Sequence, residues 1–175
     1  PTDDSEMALS LARALIASRT YEREAVLASY REWLQSRPVD VGATTERGLL
    51  GMHTTESESN GSLMRVAPIG VWAAGDPARA AAAARADSAL THPHPVCLDA
   101  CAAYCAAIAA GVAGATRAEM VKAALMHCAG EARAAIERDS LPADFMQPRG
   151  WVITALQNAF YRLGSAEPLE EALVQ

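Results

Sequence analysis

The sequence predicts an all-α protein folded as one compact multi-helix domain. Apolar residues recur with a period near 3.6 along almost its whole length, alanine is abundant up to an unbroken run at 80–84, and nothing reads as a succession of strands. Alanine is the best helix former and lets helices approach closely. A hydrophobic content of 51% with only 5% aromatics describes a globular chain whose core is built from small side chains. At 175 residues the chain has the size of a single domain and can bury a real core. No internal repeat or linker divides it.

The first helix opens near Asp3 or Asp4 and carries Met7, Leu11, Ala14 and Leu15 on one face. A second covers about 22–36, with a stripe of Val26, Leu27, Tyr30, Trp33 and Leu34, and Pro38 stops it. Thr44 and Thr45 read as N-caps of a shorter helix reaching about 52. Residues 53–61, HTTESESNG, are polar, end in glycine and lack periodicity, which marks a loop. Helical pattern resumes over about 62–74. In the turn Gly75-Asp76-Pro77, Asp76 caps and Pro77 takes the first position of a helix that ends near 90. Two prolines within 91–95 fix a short extended turn. A long helix over about 96–110 closes at Gly111 and Gly114, and Thr116 caps a further helix expected to continue to about 138. A loop over 139–150 contains Pro142 and Pro148, 151–163 is helical again, and 168–175 begins a last helix.

The formal net charge of -6, with Lys and Arg scattered, argues against a nucleic-acid partner held through phosphates. Asp, Arg or Lys interrupts every alanine-rich stretch, so no apolar run is expected to reach the ~18–20 residues that span a bilayer. No signal-peptide pattern is visible at the start. Cys97, Cys101, Cys105 and Cys128 are clustered rather than spread as a disulfide framework, which points to a reducing cytoplasm. The first three share a helix face but are drawn out along ~12 Å of axis, too far to close one metal tetrahedron. They read as core packing, since buried free cysteine behaves as a small hydrophobe.

Five stretches could carry chemistry. Thr2-Asp3-Asp4-Ser5-Glu6 offers hydroxyl and carboxylate oxygens that could converge on a hard cation such as Mg2+ or Mn2+. By residue type alone, Asp3 with Glu6 three positions on reads more readily as a capping box favoured by the helix dipole. Asp40, between two valines in a Pro/Gly turn, is either a reactive carboxylate or a turn residue bonding its own backbone. Asn60-Gly61-Ser62 feeds a helix start whose free N–H groups suit a phosphate, although it follows no strand and lacks a Walker lysine. Asp87-Ser88 with Thr91-His92-Pro93-His94 sets a histidine among prolines, to meet a ligand or to cap the preceding helix. Gly150-Trp151 places an aromatic at a helix start, where it can stack on a base or ribose or simply join the core.

In succession, TDDSEMALSLARALI, YREWLQSRPVDVGATTERGL, NGSLMRVAPIGVW, LTHPHPVCLDACAAY and GWVITALQNAFYRL resemble the ADP-ribosylglycohydrolase family across practically the whole chain, with particular likeness to the dinitrogenase-reductase-activating glycohydrolases that act on ADP-ribosylated arginine. The resemblance implies an orthogonal helical domain holding two divalent ions, Mg2+ or Mn2+, with Thr2, Asp3 and Asp4 as one cluster of metal ligands. It implies that Asp40 lies near the scissile bond, that the backbone of Asn60, Gly61 and Ser62 receives the diphosphate, that His92 meets the ribose side, and that Trp151 stacks on the ligand where the family often has tyrosine. The implied activity is hydrolysis of the N-glycosidic bond between ADP-ribose and a protein arginine, with ADP-ribosylated protein and ADP-ribose as partners. A catalytically inactive ADP-ribose- or protein-binding module of the same fold is the alternative, and serine-linked or free ADP-ribose are alternative substrates. The family also has a Gly-Asp-Ala-x-Gly helix before the first block and a second metal cluster, Gly-Asp-x-Asp-Thr, expected just after residue 175. Residues 1–175 are therefore expected to form one domain incomplete at both ends.

Overall fold

In a computed structural model, which describes residues 2–52, 55–138, 140–142 and 150–165, the periodic segments fold as ten α-helices, with no strand among those residues. The first pair, α1 (Asp3–Ser18) and α2 (Arg23–Gln35), pack together through the two stripes the sequence marks: Met7, Leu11 and Leu15 on one, Val26, Leu27, Tyr30 and Trp33 on the other. Three short helices follow, α3 (Ala43–Leu49), α4 (Gly61–Arg65) and α5 (Ala67–Trp72), then α6 (Pro77–Ser88), α7 (Pro95–Val112), α8 (Arg117–Leu125), α9 (Gly130–Glu137) and α10 (Val152–Gly164).

The centre of the fold is α7, which packs against α4, α5, α6, α8, α9 and α10. Its buried residues are all Ala or Cys, so neighbouring backbones approach closely. Length and composition would let this helix cross a membrane, with 18 residues at mean hydropathy 1.7 and Asp99 as its one charge. The expectation that no run reaches that length is thus corrected. More than half of the helix is buried inside the fold, where an apolar surround satisfies it without lipid.

Several caps form where the sequence puts them. Asp76 Oδ1 accepts from the Arg79 N–H at 3.0 Å with Pro77 in the first turn, and Thr116 with Glu119 makes a reciprocal capping box. Elsewhere the boundaries move. The expected helix over 62–74 is two, because Pro68 has no N–H to continue the α4 ladder and the chain restarts at Ala67 as α5. The expected helix over 116–138 also splits, since Ala129 is extended and Gly130 sits at φ +53°, a left-handed value that glycine adopts freely. The cap of α3 is Gly42, so Thr44 and Thr45 fall inside that helix; Thr44 instead bonds Ser57 across the loop at 2.9 Å. The last expected helix, 168–175, lies outside the described residues, as do 53–54 and most of the loop 139–150.

Candidate active site

Helices α1 and α3 both pack against α4, into which the chain 57–61 leads, and Asp4 at the start of α1 feels the charges of Arg65 on α4 and of Asp40 in the turn between α2 and α3. The capping reading of Asp3 fails. The cap position is Thr2, which makes no capping bond and pairs its hydroxyl with Ser5 Oγ at 3.2 Å. Glu6 is engaged elsewhere, its Oε2 accepting from Trp33 Nε1 at 2.8 Å. Among the described residues, no hydrogen bond or ion pair engages the carboxylates of Asp3, Asp4 or Asp40. Partial burial pushes the Asp4 carboxyl up, the negative charges of Asp3 and then Asp40 push the same way, and Arg65 pulls against them. Asp40 is therefore an electrostatic neighbour of Asp4, although 36 residues of sequence separate them. Its side chain is exposed and not folded back on its own backbone, and Arg37, at φ +58° just before Pro38, sets the sharp turn that presents it.

A partly desolvated carboxylate such as Asp4, raised by two acidic neighbours and engaged in no hydrogen bond or ion pair among the described residues, suits a hard divalent cation. Thr2, Asp3 and Asp4 are thus chemically fit to hold one. Three oxygens from a single turn are fewer than the roughly six such an ion takes, so further oxygens complete any shell. Among the described residues no three His, Cys, Asp or Glu side chains converge as a self-sufficient cluster.

Beneath this turn lies a polar network that residue types alone did not disclose. Arg65 is 0% exposed; its Nε donates to Asp87 Oδ2 at 3.1 Å, Nη2 to the Asp87 carbonyl at 3.1 Å and Nη1 to Thr91 Oγ1 at 2.9 Å. The Tyr30 hydroxyl donates to the other Asp87 oxygen at 3.0 Å, and its ring lies 4.8 Å under the guanidinium. Burial raises the Asp87 carboxyl while Arg65 and Tyr30 counter that rise. The pair is ionised, because protonating Asp87 would strand a buried guanidinium that stays cationic.

The network continues outward. Thr91 Oγ1 lies 2.7 Å from His92 Nδ1, and His92 Nε2 lies 2.9 Å from Ser59 Oγ, which also accepts from Ser57 Oγ at 3.1 Å. His92 is 1% exposed, and burial, then the nearby Arg65 charge, lowers its pKa to about 3. It is neutral, and both ring nitrogens are engaged inside the protein. Its place is under the 59–61 segment: a Cβ at Gly61 would stand 3.1 Å from the imidazole Cε1 and Nε2, a tight contact that would push on the ring.

The three candidate phosphate-binding residues differ in what they leave free. The Asn60 N–H is committed to the Gly150 carbonyl at 2.8 Å. Ser62 is fully buried, its hydroxyl accepting from Ser88 at 2.9 Å and from the Cys101 thiol at 3.4 Å. Asn60 and Gly61 are partly exposed, and of the two only Gly61 has its backbone N–H without a partner among the described residues. Trp151 is half-buried; its Nε1 donates to Glu58 Oε2 at 2.7 Å, and a backbone bridge to Ser59 fastens the loop to the start of α10.

The cysteine row packs in the core as expected, and it does something more. Burial pushes Cys97 up to about 12 and Cys101 to about 11, so both are protonated donors. Cys97 reaches the Ser59 carbonyl at 3.5 Å and Cys105 the Val66 carbonyl at 3.3 Å. The thiols thus form a floor under 57–66.

Comparison with known proteins agrees with this architecture. The ADP-ribosylglycohydrolase family model matches residues 1–175. The ADP-ribosyl-(dinitrogen reductase) glycohydrolase of Rhodospirillum rubrum is 39% identical over 109 residues, covering 57% of this chain and 37% of that protein. A protein of Acanthamoeba polyphaga mimivirus, named provisionally as an ADP-ribosyl glycohydrolase, is 34% identical over 76 residues, covering 37% of this chain and 23% of its own. A solved structure described as an ADP-ribosylglycohydrolase-related protein complex superposes with TM-score 0.80 at 22% identity, over 98% of this chain and 62% of that one. The matched regions thus span well under half of the two curated relatives and somewhat under two thirds of the solved chain.

Proposed function

The chain belongs to the ADP-ribosylglycohydrolase family, and on that premise we propose that it takes part in removing ADP-ribose from a modified protein, cleaving the N-glycosidic bond to an arginine side chain. The likeness to a relative named for hydrolysis of ADP-ribosyl-dinitrogen reductase supports a protein-linked substrate. The observation that carries the reading is the set of uncommitted carboxylates, with Asp3 and Asp40 both raising the pKa of Asp4.

Thr2, Asp3 and Asp4 would hold divalent cations, two of Mg2+ or Mn2+ by the family resemblance, and these would supply Lewis-acid polarisation of bound oxygens. Asp40 is assigned to the reacting bond. A carboxylate there can take a proton from water, steady the positive charge of an oxocarbenium-like transition state, or hold the leaving guanidinium by paired hydrogen bonds. Gly61 offers its backbone to the diphosphate, Trp151 its ring to the ligand, and His92 supports the 59–61 segment from below. The protonated, undisulfided cysteines suit a reducing compartment such as the cytoplasm.

The test uses peptides carrying ADP-ribose on arginine or on serine, incubated with the protein and Mg2+ or Mn2+, or with a chelator. Release of ADP-ribose from the arginine peptide that a chelator stops supports the reading. Release from the serine peptide alone, or equal release in chelator, overturns it.

A further inference from the structure

The buried network fixes the proton positions around His92, and those positions bear on ligand recognition. Arginine only donates, so Thr91 Oγ1 accepts from Arg65 Nη1. Thr91 is fully buried, and among the described residues its hydroxyl has no partner other than Arg65 and His92 Nδ1. Were the imidazole proton on Nδ1, Thr91 would accept twice and its own proton would point at nothing, an orphaned donor in a dry site. With the Thr91 proton given to Nδ1, every group is satisfied. The imidazole proton then sits on Nε2 and goes to Ser59 Oγ at 2.9 Å. Ser57 also donates to Ser59 at 3.1 Å, and Thr44 lies 2.9 Å from Ser57 as a donor for that hydroxyl in turn. Both lone pairs of Ser59 are filled from the protein side. Its hydroxyl proton has no acceptor among the described residues, and Ser59 is half-buried directly before Asn60 and Gly61.

We propose that Arg65 and Thr91 are positioning residues that hold His92 as the neutral Nε2–H tautomer, leaving Ser59 to present its hydroxyl proton to a phosphoryl oxygen of the ligand. This rests on the reading above that the 59–61 segment faces ADP-ribose. The orientation is one-way: the permanent cation at the inner end sets every proton outward to the serine, and a bound anion is met by a donor already pointed at it.

The tautomer is tested without ligand on the 15N-labelled protein, with His92→Gln assigning its signals among the four histidines. The expected spectrum has a pyridine-type Nδ1 and a pyrrole-type Nε2, unchanged from pH 8 to 5. Thr91→Val should shift both nitrogens toward averaged values, and Thr91→Ser should restore them. In calorimetry with ADP-ribose, Ser59→Ala and Thr91→Val should each weaken binding by about 3- to 10-fold, the worth of one hydrogen bond. The double variant should be no weaker than Ser59→Ala alone, since both act through one donor. A protonated Nδ1 in the wild type, unchanged binding in Ser59→Ala, or additive losses in the double variant would overturn the proposal. A wild type that binds no ADP-ribose overturns the functional reading and the ligand contact with it, whereas the tautomer stands or falls on the nitrogen shifts alone.

Discussion

Replacing Asp87 by Asn changes one atom's identity at the hub of the buried network and leaves the shape intact. In the wild type both side chains of the Arg65–Asp87 pair are fully buried, 3.1 Å apart, and each carboxylate oxygen has a side-chain donor. Asn can still accept from Arg65, but its amide then faces the Tyr30 hydroxyl as a donor, and no negative charge remains to balance the guanidinium. Removing one partner of a buried pair costs about 3–5 kcal/mol, because the survivor is left uncompensated. For a domain of this size each kcal/mol lowers Tm by ~2–4 °C, so the expected fall is about 6–20 °C. Differential scanning calorimetry reads it directly. A drop under about 2 °C would mean that the pair sits in a more polar setting than its burial indicates, and that Arg65 is no anchor.

Other substitutions separate binding from chemistry. His92 is neutral when folded, with a pKa near 3 against 6.5 unfolded, so the unfolded chain gains a proton as pH falls below 6.5 and stability is lost progressively toward pH 3. By pH 5 this costs about 2 kcal/mol, and denaturant titrations at pH 7.5 and 5 should show that loss in the wild type and its absence in His92→Gln. Trp151→Ala should raise KM about 5-fold or more through lost stacking, while Trp151→Phe, which loses only the Glu58 bond, should raise it less; equal effects would assign Trp151 to the loop anchor alone. Asp40→Asn should lower kcat far more than it weakens ADP-ribose binding, and equal losses would make Asp40 a binding residue only.

The helices were legible because their signals are local: stripes on α1 and α2, Asp76-Pro77, Thr116 with Glu119. The split helices show where local signals compete. Pro68 and Gly130 each interrupt a run whose apolar period continues through them, and the period alone hides the break. The candidate acidic residues were legible as types, but Asp4 and Asp40 are joined only by the fold. Asp87, Thr91 and His92 stood out as one stretch, but how they join into a network was hidden, because Tyr30 reads as one more member of the α2 stripe and nothing local pairs Asp87 with Arg65. Arg65 left a further trace, a lone cation within SLMRVAPIGV that a core-facing helix would not carry without a buried partner. His92 was expected at the ligand; residue type could not reveal that the chain would place it underneath, with Gly61 above it.

The most direct test of the account measures two properties of Asp4→Asn side by side. Asp4 is held with its carboxyl raised by burial and by Asp3 and Asp40, so its ionised form destabilises the metal-free fold above its ordinary titration range. Neutralising it should leave Tm in chelator unchanged or slightly raised, while release of ADP-ribose from arginine-linked substrate in Mg2+ or Mn2+ is abolished, a trade of stability for function at a charged site. A variant that keeps near-wild-type release, or that loses activity only because its Tm falls, would contradict the assignment of this turn as the metal-holding edge of the active site.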